Sequence, residues 1–239
     1  MPKVVSADRI KLFKNNIIKN TSKRRVIFMA TYIIVAIIAY LLGSISFSVI
    51  FSEKLAGFDV REKGSGNAGT TNVLRTVGKK AAILTLVCDC LKGVIAVLIA
   101  YVAGAIIKGL DRSLLLQLAG IFVVLGHTFP VFFKFKGGKG VATSLGVLLI
   151  INWQIGLICL VFALLLMALT RMVSLGSISA AILYPVLTLF IKAHYLPGAE
   201  GSYFVFAVIL AVMVVFNHRE NVKRLLEGKE NKLSFKNTK

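Results

Sequence analysis

Charged residues are scarce in this sequence, and acidic ones are the scarcest. Only 16% of the 239 residues are charged and 57% are hydrophobic, whereas a soluble domain averages roughly 25% charged residues. The mean hydropathy is +0.82. This composition excludes an ordinary soluble domain and predicts an integral membrane protein. Because 10 Asp and Glu accompany 29 Lys and Arg, we expect membrane lipids and anionic substrates as partners, and no nucleic acid.

Cysteine and metal-ligand clusters are also scarce. The three cysteines, Cys88, Cys90 and Cys159, all lie in hydrophobic runs. Their odd number gives no disulfide framework, and a CxC pair alone is too little for a metal site. We therefore interpret them as small apolar packing residues, and we expect neither a metal nor a cofactor.

Long apolar runs make up most of the chain. A helix needs about 20 apolar residues to cross the hydrocarbon core of a bilayer. Run 141–170 exceeds that length and is interrupted by Asn152, Trp153 and Gln154. Because Trp favours the membrane interface, we predict two short helices, roughly 141–152 and 154–170. The fold class is thus all-α, a polytopic membrane protein with about seven transmembrane helices, some short or broken. The six runs are 26–52, 81–107, 113–133, 141–170, 172–191 and 202–217.

The basic residues concentrate in a few connections between these runs. Six of the Lys and Arg lie in residues 53–80, three in 134–140 and seven in 218–239. The positive-inside rule assigns such segments to the cytoplasm. Seven crossings, with these three segments in the cytoplasm, place the N-terminus outside.

The N-terminal segment conflicts with that placement, because eight Lys and Arg in residues 1–25 favour an N-terminus inside. We hypothesise that residues 1–28 are a basic extension absent from the native product, that translation can begin at Met29, and that residues 29–239 form a single membrane-embedded domain. Run 26–52 leads directly into polar sequence and is expected to be a retained helix. Intact-mass measurement of the natively expressed protein tests this start, and a mass matching Met1 contradicts it.

The first polar segment that can carry chemistry is GSGNAGTTNVLRTVGKK, residues 64–80. Its GxGxxG spacing is a weak dinucleotide signal, because no buried strand precedes it. The glycines still allow backbone N–H groups to converge on an anion, and Arg75 adds a fork that binds phosphate through two parallel bonds. The alternative is an ordinary glycine-rich turn. Short hydrogen-bonding side chains accompany the glycines at Ser65, Asn67, Thr70, Thr71 and Asn72.

The second segment is GHTFPVFFKFKGGKGVAT, residues 126–143. It is not a Walker A loop, since Gly140 stands where Ser or Thr is required. Its glycines free the backbone, and Lys139 brings a point charge to a phosphate. The phenylalanines around it suit an acyl chain or the bilayer interface. His127 lies within the apolar run, where a hydrogen-bonded packing residue is the simpler interpretation.

The third segment is FNHRENVKRLLEGKE, residues 216–230. His218 and Asn221 are three residues apart and share a helical face, and His is the commonest acid–base group near neutral pH. The alternative is a solvated amphipathic helix. A fourth feature is the pair Asp89 and Lys92 inside run 81–107, which we interpret as a structural ion pair in the bundle interior, because charges at such depth are usually paired.

These three segments, in this order, resemble the bacterial acyl-phosphate-dependent glycerol-3-phosphate acyltransferase family. The family pattern is similar to Gly64–Arg75, Gly126–Thr143 and His218–Glu230, and a DxxKG element resembles Asp89–Gly93. The resemblance covers nearly everything after Met29. The departures are small: Ala68 and Thr70 replace an expected Pro and Ala, and Ser46 replaces a Pro.

The resemblance implies an enzyme that transfers a fatty acyl group from acyl phosphate to the 1-hydroxyl of glycerol 3-phosphate, giving lysophosphatidic acid and inorganic phosphate. It also implies seven transmembrane helices, an outside N-terminus and an active site on the cytoplasmic side of the bacterial inner membrane. No obligate protein partner is expected.

Residue roles carried over by motif position divide into three groups. Phosphates are expected to be bound by Arg75 and Lys139, with help from Gly66, Asn67, Gly69, Asn72, Gly137, Gly138 and Gly140. The catalytic residues are expected to be His218, Ser65 and Asn221, with Ser65 and Asn221 orienting the substrates. Supporting roles go to His127, Asp89, Lys92 and Glu220.

The general base is left open by the sequence. Either His218 or the phosphate of glycerol 3-phosphate takes the hydroxyl proton. An acyl-Ser65 intermediate is a third route, but no His adjoins Ser65 to activate it, so direct transfer is favoured. The competing class is a transporter or channel for an anionic metabolite, although transporters place their site near the midplane. A non-catalytic lipid-binding scaffold is a further option.

Overall fold

Every regular element is a helix in residues 7–191 and 200–233, the part of the chain that this computed structural model describes. The predicted all-α class is therefore confirmed. Residues 1–6 of the predicted extension lie outside the described residues. The α-helices are α1 (Ala7–Gly43), α2 (Phe47–Ala56), α3 (Thr70–Thr76), α4 (Lys79–Ile106), α5 (Arg112–Thr128), α6 (Val141–Ile151), α7 (Trp153–Thr170), α8 (Val173–Phe190), α9 (Glu200–Asn217) and α10 (Arg219–Leu226), with 3-10 turns at Val60–Glu62 and Val131–Phe133.

Among the described residues, five helical stretches are long and apolar enough to cross a membrane: Thr21–Ala56, α4, Arg112–Phe133, α7 and α8. A sixth is counted if α9 and α10, which meet at a 65° bend, form one span. The short helix α6 is apolar but has only 11 residues. The chain is thus a multi-pass membrane protein, and the predicted seven crossings, which include α6, stay a prediction.

The break inside run 141–170 falls at Asn152, as predicted. The Asn152 N–H donates to the carbonyl of Leu148 at 2.8 Å and ends α6. Its side-chain oxygen accepts from the N–H of Ile155 at 3.2 Å and caps α7. One residue therefore satisfies backbone groups of both helices, which otherwise lack partners at their ends.

Run 26–52, predicted to be a retained helix, lies within the candidate span Thr21–Ala56 and has a break that the sequence analysis did not predict. It is interrupted between α1 and α2, where the carbonyls of Gly43 and Ile45 each accept a hydrogen bond of 2.9 Å from the Lys92 ammonium. Lys92 is only 1% exposed and lies 2.8 Å from the Asp89 carboxylate. A buried cation at the negative end of α1 is favourable, so this lysine stabilises the break that the hydropathy pattern hides.

The two ends of α1 lie at opposite ends of the bundle. Near its C-terminus, the Tyr40 hydroxyl donates to the Phe129 carbonyl at 2.8 Å, just after α5. Near its other end, the Tyr32 hydroxyl accepts from the N–H of Asp111 at 3.1 Å, just before α5. Helices α1 and α5 are therefore parallel. The residues that precede Phe28 start from the end opposite to the loop that follows Phe129.

Helices α4 to α9 complete the bundle around a buried core. α4 packs on α5 and α6, α6 packs on α7, and α8 packs on both α7 and α9. Tyr184 of α8 and Tyr203 of α9 both make edge-to-face contacts with Phe206, with ring centroids 6.4 and 6.3 Å apart. These three rings are buried in the interior of the bundle, away from the polar loops.

Candidate active site

The three polar segments meet at one end of the bundle and line a single cavity of about 720 Å³. This volume is within the usual range of ligand pockets, roughly 300–1,000 Å³. Of the predicted site residues, those that line the cavity are Ser65, Asn67, Gly69, Asn72, Arg75, Asp89, His127, Lys139, Gly140, His218 and Asn221. Those that do not line it are Gly66, Lys92, Gly137, Gly138 and Glu220.

The cavity continues from this polar mouth into an apolar interior. Side chains of α4, α6, α7, α8 and α9 form its walls, and Cys159 and Tyr184 line the part farthest from the mouth. Two wall residues, Leu86 on α4 and Leu164 on α7, are 45% and 54% exposed. Leu86 and Leu164 therefore line the cavity and are also exposed on the apolar surface of the bundle.

Asn72 shapes the first loop, residues 63–69 between the 3-10 turn and α3. Its side-chain oxygen accepts from the N–H of Ser65 at 2.9 Å, and its amide nitrogen donates to the carbonyls of Val60 and Lys63 at 2.8 and 3.0 Å. Asn72 is buried, and both ends of its amide are occupied within the loop. The structure thus gives it a scaffold position, whereas we had predicted phosphate contact.

The first loop presents three groups to the cavity. Ser65 stands before α3 with an exposed side chain. Gly69 leads into α3, whose first residues, Thr70 and Thr71, line the cavity. The first N–H groups of a helix have no partner within it and attract anions. Arg75, on the same helix, adds a full positive charge to the mouth.

Gly137 and Gly138 are required for close packing. Their N–H groups donate to the carbonyls of Thr128 and His127 at 3.1 and 3.0 Å. A Cβ on either residue would lie 2.0–2.1 Å from atoms of His127, where no side chain fits. Both N–H groups are already bonded within the protein, whereas the sequence analysis expected them to bind phosphate. Gly140, with φ +86°, then starts α6 at the cavity wall.

His127 and Asp89 connect this loop to the bundle interior. The Nδ1 atom of His127 lies 3.4 Å from the Asp89 carboxylate, which also pairs with Lys92. The other ring nitrogen, Nε2, lies 2.1 Å from the position that a Cβ on Gly138 would occupy. The predicted ion pair of Asp89 and Lys92 and the buried His127 thus form one connected group that packs against the loop containing Gly138.

His218 lies in the bend between α9 and α10. Its Nδ1 atom is 2.8 Å from the Val214 carbonyl, so Nδ1 carries the proton and Nε2 is an acceptor in the neutral ring. Burial, together with the charge of Lys139, lowers the pKa of His218 to about 4. The imidazole is therefore neutral at pH 7, with a free acceptor nitrogen in a residue that lines the cavity.

A hydrogen-bond network connects the second segment to the third. The Lys139 ammonium donates to the Asn221 side-chain oxygen. The Asn221 amide nitrogen donates to one oxygen of Glu230 at 2.9 Å, and the Arg224 Nε donates to the other at 3.1 Å. The Glu230 side chain is only 4% exposed. Lys139 is thus held through Asn221 by a buried carboxylate.

Arg224 and Glu230 line the cavity and were given no role by the sequence analysis. Arg224 is three residues after Asn221, and this spacing predicts the shared face. Glu230 lies beyond the end of α10, after a turn at Gly228 with φ +68°. Helical spacing does not reach it. Glu220, which we had assigned a supporting role, is exposed and does not line the cavity.

The mouth of the cavity is electropositive. Burial, together with the charges of Arg224 and Arg75 and against the opposing effect of Glu230, lowers the pKa of Lys139 to about 8. Three cations and one carboxylate therefore interact at this end of the cavity, which favours an anion with more than one charge. No group of three His, Cys, Asp or Glu side chains in the described ranges is placed to hold a metal ion.

A cationic, glycine-rich mouth joined to an apolar interior defines a membrane protein that acts on a phosphate-bearing lipid or lipid precursor. Comparison with known proteins agrees. Residues 33–228 match the family model described as glycerol-3-phosphate acyltransferase. The glycerol-3-phosphate acyltransferase of Clostridioides difficile strain 630 is 47% identical over 206 residues, which are 86% of this chain and 97% of that protein. The enzyme of Prochlorococcus marinus strain MIT 9312 is 41% identical over 202 residues, 84% of this chain and 98% of that one.

Solved structures give the same result. The crystal structure of PlsY (YgiH), an integral membrane glycerol 3-phosphate acyltransferase, matches in its glycerol 3-phosphate form with a TM-score of 0.73 and 40% identity, over 85% of this chain and 96% of that one. Its lysophosphatidic acid form matches with a TM-score of 0.71 and 40% identity, over 85% and 95%. The chain therefore belongs to the glycerol-3-phosphate acyltransferase family. It is an integral membrane acyltransferase of phospholipid biosynthesis.

The lowered pKa of Lys139 predicts an alkaline limit of activity. We predict that Lys139 must be charged to bind phosphate, so kcat/KM for glycerol 3-phosphate is expected to fall about tenfold per pH unit above a pKa of about 8. The phosphate ester does not titrate there, because its second pKa is about 6. Arginine keeps its charge at this pH, so the Lys139→Arg variant is expected to lose this alkaline limb, the fall of kcat/KM above about pH 8. The same alkaline limb in wild type and in Lys139→Arg would contradict the assignment to Lys139.

Proposed function

We propose that the protein transfers a fatty acyl group from acyl phosphate to the sn-1 hydroxyl of glycerol 3-phosphate, giving lysophosphatidic acid and inorganic phosphate. The observation that carries this proposal is the single cavity, in which Arg75, Lys139 and Arg224 accompany an apolar interior. Both substrates bear a phosphate, and one also bears a long alkyl chain. The relatives named glycerol-3-phosphate acyltransferase support the acceptor.

The apolar interior suits the acyl chain of the donor. Cys159 lies 11 residues before the end of α7 at Thr170, which is about 16 Å along the helix axis at 1.5 Å per residue. Burying alkyl carbons contributes about 0.8 kcal/mol per CH₂. A chain in this channel places its carbonyl end at the mouth, beside the cations.

The phosphates are assigned to the groups at the mouth. Arg75 forms two parallel hydrogen bonds with one phosphate, and Lys139 offsets the charge that develops on the leaving phosphate. Ser65 lies beside them and orients a substrate by hydrogen bonding. Asn221 acts differently from the sequence prediction, because its amide already bonds Lys139 and Glu230; it orients the lysine, and through it the phosphate.

The transfer proceeds directly from donor to acceptor. The glycerol oxygen forms a bond to the acyl carbon, the bond between that carbon and the phosphate oxygen breaks, and its electron pair leaves on phosphate. The hydroxyl proton goes to Nε2 of His218 or to the phosphate of glycerol 3-phosphate. A pKa of about 4 makes His218 a weak base in the free site, and bound phosphate anions raise that pKa by favouring the imidazolium.

Two features support direct transfer over an acyl-Ser65 intermediate. Ser65 has an exposed side chain, and none of the hydrogen bonds found among the described residues joins it to His218. Acyl phosphate is an activated donor, so the enzyme mainly needs to position the reactants and stabilise charge. Backbone N–H groups at the start of α3 and α6 are the donors for the developing oxyanion.

We assign the site to the cytoplasmic side of the bacterial inner membrane. The basic segments that form the mouth favour the cytoplasm by the positive-inside rule. The basic start of α1 lies at the opposite end of the bundle, so its charge opposes this orientation. The hypothesis of a start at Met29 removes that opposition, because it deletes the eight cations of residues 1–25.

Phosphate release by purified protein in detergent tests the reaction. With palmitoyl phosphate and glycerol 3-phosphate, we expect release that requires both substrates. Lys139→Ala is expected to reduce it on the order of 10²-fold, as the loss of one charge-stabilising donor does. Lys136→Ala, which removes an exposed lysine of the same loop outside the cavity, is the matched control and should remain close to wild type.

The outcomes separate the two candidate classes. No release from folded protein would overturn the acyltransferase proposal and favour a transporter, since transport needs a sealed membrane and release in detergent does not. Equal loss in both lysine variants would remove Lys139 from the site.

The cavity also predicts a change in chain-length preference. Cys159→Phe fills the inner end of the apolar part, so activity with palmitoyl phosphate should fall more than activity with decanoyl phosphate. Leu169→Phe, on the same helix with Leu169 81% exposed and outside the cavity, is the control. Retained activity with decanoyl phosphate shows that Cys159→Phe is folded. An unchanged ratio of the two activities would place the acyl chain elsewhere.

A further inference from the structure

Arg61 connects the two glycine-rich loops without lining the cavity. It lies in the 3-10 turn that precedes the first loop, and the carbonyl of its neighbour Val60 accepts a hydrogen bond of 2.8 Å from the Asn72 amide, which shapes that loop. Its guanidinium donates to the carbonyl of Phe133 at 2.6 Å and to that of Lys136 at 3.2 Å. Arg61 therefore connects the turn to which the Ser65 loop is bonded with the loop that leads to Lys139.

The two carbonyls that Arg61 holds enclose a strained stretch of backbone. Lys134 and Phe135 both have φ +57°. Consecutive side-chain-bearing residues rarely adopt this left-handed conformation, because Cβ approaches the carbonyl oxygen. Such residues persist only where their surroundings over-determine them. Arg61 supplies that restraint at the carbonyls immediately before and after the pair.

Asp59 fixes the guanidinium in this position. The Nε atom of Arg61 lies 3.0 Å from each Asp59 oxygen, and the Arg61 N–H donates to the same carboxylate at 2.9 Å. The planar fork of Arg bonds a carboxylate with one edge and carbonyls with another. A lysine has no second edge and cannot make both sets of bonds.

We propose that Arg61 is a positioning residue that sets the separation between the two phosphate-binding loops by holding the Lys134–Phe135 backbone in its strained conformation. It acts through the loop on Lys139, and it touches no substrate. This inference rests on the proposed function only in assigning phosphate binding to those loops; the restraint itself is a property of the folded protein.

The kinetic test compares Arg61→Ala, Arg61→Lys and Lys54→Ala, a variant of an exposed lysine on α2. Both Arg61 variants are expected to lower kcat/KM for glycerol 3-phosphate at least tenfold, mainly through KM, because the anion site is no longer preformed. Lys54→Ala is expected to match wild type. The variants should also shift the alkaline limb upward, from a pKa of about 8 toward 10.5, the ordinary value for lysine, because a mobile loop exposes Lys139.

A rescue separates restraint from general damage. Glycine adopts positive φ at no steric cost, so replacing both Lys134 and Phe135 by Gly should restore activity severalfold in the Arg61→Ala background and change little in wild type. Arg61 variants as active as wild type would overturn the proposal. A loss of activity that the two glycines do not relieve would also overturn the proposal if the pKa of the alkaline fall in activity stayed at about 8. A merely structural residue would give that result.

Hydrogen exchange tests the same restraint without substrate. The N–H of Phe135 donates to the Pro130 carbonyl at 2.9 Å, and that of Gly137 to Thr128. Arg61→Ala should accelerate exchange of the peptide covering residues 133–139 and leave the interior of α5 unchanged. Unchanged exchange would overturn the proposed restraint by Arg61, whatever the activity of the protein. A wild-type protein that releases no phosphate would overturn the proposed function and would leave the exchange test of the restraint valid.

Discussion

The arrangement of the site depends on keeping Arg75, Lys139 and Arg224 close together in a partly buried mouth. Like charges repel more strongly where water is excluded, and the lowered pKa of Lys139 reflects both burial and its cationic neighbours. Glu230, the carboxylate bonded to this group, offsets only part of the charge. The remaining imbalance favours binding of phosphate anions and requires a rigid scaffold, because mobile side chains would move apart.

Each loop supplies that rigidity with its own backbone bonds. Asn72 uses both ends of its amide inside the first loop, and the second loop folds against the carbonyls of Thr128 and His127. Below them, the buried chain of His127, Asp89 and Lys92 extends to the break after α1. Charges inside a bilayer are unfavourable unless they are paired, and here the paired groups form the buried part of the bundle on which the two loops pack.

The sequence predicted the class of fold, because apolar runs are a local property, and the resemblance of its three polar segments to the family implied that they share one active site. It also predicted the break at Asn152, where a polar residue interrupts a long run. It did not predict the break after Gly43, because the group that stabilises it, Lys92, lies 49 residues later in the chain. Long-range capping of this kind leaves no mark in a hydropathy pattern.

The predicted roles within the site were less complete for a related reason. A glycine or amide in a loop can face a ligand or its own backbone, and the sequence does not distinguish the two. Gly137, Gly138 and Asn72 were predicted to bind phosphate, and the structure places their polar groups on the protein itself. Glu230 was missed because a turn at Gly228 returns it to the site, beyond the reach of helical spacing.

The two parts of the cavity suit the two products of the proposed reaction differently. Leu86 and Leu164 line the apolar part and are also half exposed on the apolar surface of the bundle, so the alkyl chain of the lipid product is expected to stay in an apolar environment as it leaves. Inorganic phosphate has no affinity for hydrocarbon and is expected to leave through the polar mouth into water.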